Sequence, residues 1–186
     1  GADGRGRVIY AFAALLLVEL VSFGIFSSQI GFYHDDWSFL ELASQGGDFW
    51  GIVKAFNDTK HFPTRPVEII QFPLFLVLGK FNPLVYQILQ LSLETAQGFL
   101  FYLLLNRMTG SRKLALAAAA LALMCPNRSA THFWFSNSPQ AVSLALVLAS
   151  LLAQLNWLES RKRFWLLLAQ AAYLLSVLSY ESTAFL

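Results

Sequence analysis

Charged residues and cysteines are scarce in this 186-residue chain. Asp, Glu, Lys and Arg together make up 13% of the residues, whereas 56% are hydrophobic. Soluble domains carry about 25% charged residues, so this composition predicts an integral membrane protein. The single cysteine, Cys125, excludes a disulfide within the chain and a metal cluster built on cysteines.

Several motifs of well-known enzyme classes are absent as well. The sequence has no glycine-rich phosphate-binding loop, no nucleophile elbow and no His-Glu-x-x-His zinc motif. Its three histidines, His34, His61 and His132, are too far apart for a recognisable metal-ligand spacing. Nothing in the sequence supports nucleic-acid binding.

Long apolar segments are present, and they predict an all-α bundle of membrane-spanning helices. A bilayer core requires about 20 apolar residues per helix. The predicted spans are residues 8–28, 83–106, 112–134, 137–157 and 164–180. In the third of these, Pro126 predicts a kink. The run 66–79 is shorter, carries Glu68 and is broken by Pro73, which favours a re-entrant or interfacial segment.

Basic residues predict the orientation of the bundle. They form three clusters: Arg5 and Arg7; Arg107, Arg112 and Lys113; and Arg161, Lys162 and Arg163. Short loops rich in Lys and Arg stay in the cytoplasm. All three clusters lie there only if residues 66–79 do not cross and the five other segments do. The N-terminus is then cytoplasmic, and the outer loop 29–82, the segment 127–140 and Glu181 share the outer, periplasmic, extracellular or lumenal face.

The outer loop contains two predicted surface helices. The stretch "DDWSFLELASQGG" predicts a short helix that Asp35 or Asp36 caps and a glycine pair ends. The stretch "FWGIVKAFND" predicts an amphipathic helix lying on the bilayer. Prolines in "KHFPTRPVEI" indicate an extended entry to the run that follows.

Asp35 and Asp36 are the candidate catalytic residues. These adjacent carboxylates lie where the chain leaves the first span. They could act as a general base or ligate a divalent cation. The alternative is that one of them caps the helix and the other is merely solvated.

Two cations and a second acid in the outer segments are candidates for substrate binding. Arg65 and Arg128 could hold a lipid phosphate by charge-assisted hydrogen bonds, or they could contact ordinary headgroups. Glu181 could be functional, or it could simply mark the end of the last helix. The candidate substrate-binding residues are Arg65, Arg128, Glu181 and His61.

A row of polar side chains follows one face of the second predicted span. Gln87, Gln90, Glu94 and Gln97 recur three or four residues apart, which places them on one side of a helix. That side should face the bundle interior, and Glu19 lies at a similar depth in the first span. We expect the two helices to bury Glu19 and Glu94 against each other or against the glutamines through interhelical hydrogen bonds, with a proton or substrate path as the alternative.

The order of the motifs carries a family resemblance. They are "FYHDDWSFLELA", "RPVEIIQFPLFLVLGKFNPLVYQ", "LNRMTGSRK", "HFWFSNSPQ" and "LSYESTAFL". Over nearly the whole chain this order resembles the N-terminal portion of the GT-C superfamily of membrane glycosyltransferases, in particular the branch that uses dolichyl- or undecaprenyl-phosphate sugars. The chain begins without methionine and ends inside an apolar run, so we expect it to be part of a longer polytopic protein.

The resemblance implies an inverting transfer of a sugar from a polyprenyl-phosphate donor to a hydroxyl acceptor on the outer or lumenal face. Asp35 or Asp36, with the first favoured, would be the base, and Arg65 or Arg128 would neutralise the departing phosphate. Glu181 matches an acid common at this helix end in the family. Metal-using members carry further acids in the second outer loop, whereas "FSNSPQ" has none, so we expect no metal cofactor.

Two other functions stay open. A transporter could use Glu19, Glu94 and the glutamine row, although transporters often contain a pair of broken helices and only one broken segment occurs here. A non-catalytic membrane assembly protein is the other alternative, but it would have no need of Asp35 and Asp36.

Overall fold

The computed structural model describes residues 2–59, 65–125 and 129–185, and these residues form helices without any strand. The helices are α1 (Ala2–Ser22), α2 (His34–Gly46), α3 (Phe49–Asp58), α4 (Glu68–Gly79), α5 (Pro83–Thr109), α6 (Arg112–Leu123), α7 (Ser129–Phe133), α8 (Ser138–Ser160) and α9 (Arg163–Ser179). Short 3-10 helices lie at Gly24–Gln29, Phe135–Asn137 and Glu181–Phe185. The all-α fold predicted from the sequence is confirmed.

Within the described ranges, three helical segments are long and apolar enough to cross a bilayer. They are Gly6–Gln29, Pro83–Thr109 and Phe135–Ser160, close to three of the predicted spans. Helix α9 has 17 residues and α4 has 12, fewer than the roughly 20 that a bilayer core requires. By length, α4 agrees with the expectation that the run 66–79 does not cross, whereas α9 falls short of the crossing expected for 164–180.

The predicted segment 112–134 is not one continuous helix. Helix α6 ends at Leu123, and α7 begins separately at Ser129. The reason lies in the sequence, because Pro126 disfavours the helical conformation at the residue before it and cannot donate a backbone hydrogen bond.

Helix α5 is the centre of the bundle and packs against α1, α4, α6, α7 and α8. Its N-terminus is capped by Asn82, whose side chain accepts the Leu84 N–H at 3.1 Å, and Pro83 follows at the first helical position. Its C-terminus stops at Gly110, which adopts a left-handed conformation with φ of 66°.

Helices α8 and α9 form a closely packed hairpin. The Ser143 hydroxyl donates to the Ser176 carbonyl, and the Ser150 hydroxyl donates to the Ala169 carbonyl, both at 2.8 Å. Small residues and hydroxyl hydrogen bonds are typical of helix contacts in lipid, where burial of apolar surface supplies little driving force.

The bundle has two chemically distinct ends. At one end, which we call the acidic end, an aromatic cluster joins α2, α3, α4, α5 and the 3-10 helix at 135–137. The cluster contains Leu40, Ile52, Phe56, Phe72, Phe75, Leu76, Tyr86 and Phe135. The acidic end carries Asp35, Asp36, Glu68 and Glu181. The opposite, basic end carries the three Arg/Lys clusters, and there Arg107 Nη2 lies 3.4 Å from Glu159 Oε2.

Candidate functional site

The two neighbouring aspartates have different surroundings. Asp36 is 1% exposed and accepts three hydrogen bonds. Its Oδ2 accepts the Tyr33 N–H at 2.9 Å, while its Oδ1 accepts the Ser136 N–H at 2.9 Å and the Ser136 hydroxyl at 2.5 Å. Asp36 therefore ties the start of α2 to the segment before α8, which the sequence analysis assigned to the second outer loop.

Helix capping explains part of this geometry. Tyr33 is the residue before α2, and Asp36 occupies the third helical position, from which a carboxylate can accept the N-cap N–H. The sequence analysis expected Asp35 or Asp36 to be the N-cap itself; the N-cap is Tyr33, and Asp36 accepts its N–H from within the first turn. Burial raises the pKa of the Asp36 carboxyl above its ordinary value, while the hydrogen bonds from Ser136 and Tyr33 act in the opposite direction.

Asp35 is far more accessible than Asp36, because its side chain is 49% exposed. Its Oδ1 lies 2.7 Å from Nδ1 of His34, whose own side chain is 94% exposed. Asp35 also lines a cavity of about 510 Å³ between the start of α2 and the end of α3. The other lining residues are Ser38, Phe39, Glu41, Leu42, Gln45 and Thr59. This cavity offers hydroxyl, amide and carboxylate groups beside two apolar side chains, a set that suits a ligand with several hydroxyls.

A second polar cluster is centred on Arg65, just before α4. Arg65 binds the Glu181 carboxylate through two hydrogen bonds, from Nε at 2.6 Å and from Nη2 at 2.5 Å. Its Nη1 lies 3.3 Å from Oε1 of Glu68, and its guanidinium lies over the Tyr180 ring at 4.2 Å from the centroid. The cluster thereby fastens the entry of α4 to the end of α9.

Burial and neighbouring charges shift the pKa values of this cluster in different directions. The hydrogen bonds with Glu181 raise the pKa of Arg65, and the same bonds lower the pKa of Glu181. Glu68 is 2% exposed, and its burial raises its pKa to about 7 in spite of the neighbouring guanidinium. Glu68 is therefore the group in this cluster that titrates near neutral pH.

A buried acid–imidazole pair lies deeper in the bundle. Oε1 of Glu19 on α1 is 2.7 Å from Nδ1 of His132 on α7, and both side chains are fully buried. The His132 ring stacks on Phe23 with the centroids 3.7 Å apart. We expected Glu19 to pair with Glu94 or the glutamines, and the imidazole of His132 is a partner that the sequence analysis missed.

The glutamine row on α5 faces inward, as predicted. Gln87 donates to the Phe133 carbonyl at 3.0 Å, and Gln90 donates to the Thr131 carbonyl. Both glutamines are at most 3% exposed. Their amides satisfy backbone carbonyls of α7, which is too short to use all of its own carbonyls. For these two residues the structural interpretation, interhelical hydrogen bonding, is confirmed.

The predicted site residues are distributed over two clusters. Asp35 and Asp36 lie at the start of α2, whereas Arg65 and Glu181 bind each other. His61 and Arg128, the two other predicted substrate-binding residues, lie outside the residues that the structure describes.

The sequence analysis missed three polar partners, Ser136, Glu68 and Tyr180. Each was visible as a polar or aromatic residue in an outer segment. Nothing in the sequence indicated which residue of another segment each of the three would contact.

In the ranges that the structure describes, no three His, Cys, Asp or Glu side chains are grouped to hold a metal ion. Both carboxylate oxygens of Asp36 accept hydrogen bonds, from Tyr33 and Ser136, which orient this carboxylate. Calcium and magnesium need several oxygen ligands, and the mechanism proposed below uses no metal.

Comparison with known proteins does not assign the chain to a family. No protein-family model, no curated protein and no solved structure matches it. The resemblance to GT-C enzymes therefore rests on motif order alone, and the function has to be argued from the geometry of the acidic end.

Proposed function

We propose that the protein is a membrane glycosyltransferase that moves a sugar from a polyprenyl-phosphate donor to a hydroxyl acceptor. The observation that carries this proposal is the difference in burial between the two neighbouring aspartates. Asp36 is buried and holds two segments together, which leaves the neighbouring carboxylate of Asp35 open beside a polar cavity. A rigidly supported but accessible carboxylate is what a general base requires.

The reaction assigns Asp35 the role of base. The acceptor hydroxyl binds in the cavity and gives its proton to the Asp35 carboxylate while its oxygen attacks the anomeric carbon of the donor. The bond between that carbon and the phosphate oxygen breaks on the opposite face, so the configuration inverts. The products are the glycoside, protonated Asp35 and the polyprenyl phosphate, which carries the charge of the broken bond. Asp36 is a positioning residue in this scheme.

Arg65 is proposed to bind the donor phosphate. The side chain of Arg65 is 29% exposed, and that of its principal partner, Glu181, is 58% exposed. A phosphate presents the same paired oxygens as a carboxylate and can take over the two hydrogen bonds that Glu181 accepts. Glu68, buried on the other side of Arg65, keeps the guanidinium in place during this exchange.

We further propose that the chain crosses the membrane several times with the acidic end on the outer or lumenal face. The three basic clusters at the opposite end favour a cytoplasmic location for that end and for the N-terminus. The hydrogen bonds from Ser136 to Asp36 and from Arg65 to Glu181 support this arrangement, because they require all four residues to lie on one side.

The test is sugar transfer by the full-length protein in proteoliposomes that contain a polyprenyl-phosphate sugar. We expect Asp35→Asn to lower the turnover at least about 100-fold, the range for loss of a general base. Asp48→Asn is the matched control, because Asp48 is an exposed aspartate of the same loop that only caps α3. Its turnover should stay within about twofold of the wild type. Full turnover in the Asp35→Asn protein would refute the proposed base.

A second candidate function, proton-coupled transport, is favoured by the buried pair of Glu19 and His132. Intramembrane ionisable pairs often mark proton paths. A transporter would move its substrate without consuming the lipid-linked donor, and the Asp35→Asn substitution would not affect that movement. The experiment above therefore separates the two functions.

A further inference from the structure

The basic end of the bundle contains a crevice between α1 and α6 that the proposed transfer reaction does not use. Its outer part is a cavity of about 520 Å³ lined by Gly6, Arg7, Tyr10, Ala11, Tyr102, Arg112, Lys113 and Leu116. Three of these residues carry positive charge, and two are tyrosines whose hydroxyls can donate hydrogen bonds.

An apolar groove continues from this cavity along the same two helices. It has a volume of about 390 Å³ and is lined by Ala14, Leu15, Val18, Lys113, Leu116, Ala117 and Ala120. Lys113 and Leu116 line both spaces, so the charged cavity opens directly into the groove. The groove exists because alanines occupy positions where larger side chains would fill the contact between α1 and α6.

The dimensions of the crevice match one leaflet of a bilayer. From Arg7 to Val18 the helix advances by 11 residues, about 16 Å at 1.5 Å per residue. Half of a bilayer core is about 15 Å. The charged cavity therefore lies one leaflet thickness from the inner end of the groove, as the headgroup and chain end of a lipid do.

We propose that this crevice binds an anionic phospholipid of the surrounding bilayer. Its phosphate lies beside Arg112 and Lys113, and one acyl chain occupies the groove between α1 and α6. The charge of the cavity selects an anionic headgroup over a zwitterionic one, and the groove selects a lipid over a free phosphate ester. This site is independent of the proposed transfer reaction.

The experiment measures lipid bound to the purified full-length protein by native mass spectrometry. The probes are dioleoyl phosphatidylglycerol and dioleoyl phosphatidylcholine, with glycerol 3-phosphate as the free headgroup analogue. We expect phosphatidylglycerol to bind at least tenfold more tightly than phosphatidylcholine. Millimolar glycerol 3-phosphate should not displace it, because it has no acyl chain.

Two pairs of variants test the two parts of the crevice. The double variant Arg112→Gln/Lys113→Gln should weaken phosphatidylglycerol binding about 25-fold, roughly fivefold for each cation lost. Its control, Lys162→Gln/Arg163→Gln, removes two cations from the same end outside the crevice. Both substituted pairs are exposed, so these variants retain the fold.

The groove is tested by Ala117→Leu, which fills it without changing the charge. Its control is Ala13→Leu, an exposed position of α1 outside the crevice. We expect the first variant to lose phosphatidylglycerol binding about tenfold and the second to retain it. Equal binding of the two lipids, equal loss in both charge variants, or full displacement by glycerol 3-phosphate would each overturn the proposal.

Discussion

Replacing Asp36 should weaken the local structure, whereas replacing Asp35 should leave that structure intact and impair the proposed chemistry. The alanine variant Asp36→Ala removes a buried carboxylate that accepts three hydrogen bonds and leaves the N–H groups of Tyr33 and Ser136 without their partner. Hydrogen bonds to a charged acceptor contribute about 1.5–3 kcal/mol each. The cost of burying the carboxylate, which also raises its pKa, offsets part of that sum. A net loss of about 3 kcal/mol in the local opening free energy is expected.

Hydrogen exchange at the Ser136 amide is the direct assay, because that N–H donates to Asp36. A loss of about 3 kcal/mol corresponds to roughly 100-fold faster exchange when opening and closing are fast compared with the exchange step. Asp36→Asn retains one carbonyl oxygen as an acceptor for Ser136, so its exchange should rise only about tenfold. Asp35→Asn alters a half-exposed side chain that bonds only to His34 among the described contacts, and exchange at Ser136 should stay within about threefold.

The result that would refute this reasoning is similar protection at Ser136 in the Asp36→Ala and Asp35→Asn variants. Equal protection would mean that the carboxylate of Asp36 does not hold the two outer segments together. The assignment of Asp35 as the accessible base would then lose its structural support, because nothing would distinguish the two acids.

Two further predictions concern buried positions near α4. Burial raises the pKa of Glu68 from its ordinary value of 4.5 to about 7. The folded state therefore binds more protons than the unfolded state between these pH values, and stability falls as the pH rises; the full effect is about 3 kcal/mol. Thermal unfolding between pH 5 and pH 8 should show this loss of stability in the wild type but not in Glu68→Gln. The same pH dependence of stability in both proteins would contradict the prediction. In Gly79→Ala the new Cβ would lie 2.6 Å from Cζ of Tyr86, so stability should fall by about 1–3 kcal/mol, whereas Gly31→Ala, with open space around it, should unfold like the wild type.

Helix positions followed directly from the sequence wherever local signals decided them. The short helix after the first span ends with Gly47 in a positive-φ conformation, as the glycine pair predicts. It begins at His34 with Tyr33 as its N-cap, earlier than the predicted cap at Asp35 or Asp36. The amphipathic stretch "FWGIVKAFND" is helical over its whole length, Phe49–Asp58. These signals lie within a few residues of the feature they specify, so a single sequence suffices to find them.

Contacts between distant segments could not be obtained in this way. The sequence analysis identified Arg65 and Glu181 separately as substrate-binding candidates, yet they are 116 residues apart and bind each other. We expected the partner of Glu19 on α5. The structure instead places His132 next to Glu19, on the short helix α7, which had been predicted as the end of the span 112–134. Pairing of polar groups depends on how the helices are placed, which periodicity and composition do not encode.

Directional polar contacts therefore determine the geometry of the acidic end. Apolar helix faces slide and rotate against lipid and against one another with little energetic preference, since the tails are as apolar as the side chains. Hydrogen bonds are specific by comparison: Ser136 donates to Asp36, Gln71 donates to the Ser138 hydroxyl at 2.8 Å, and Arg65 donates to Glu181. The first two of these bonds join the loop 29–82 to residues 136–138, and the third joins it to the segment after α9. We expect the cavity beside Asp35 to keep its shape only while the anchoring carboxylate of Asp36 remains in place, so the positioning acid and the proposed base have to be tested as a pair.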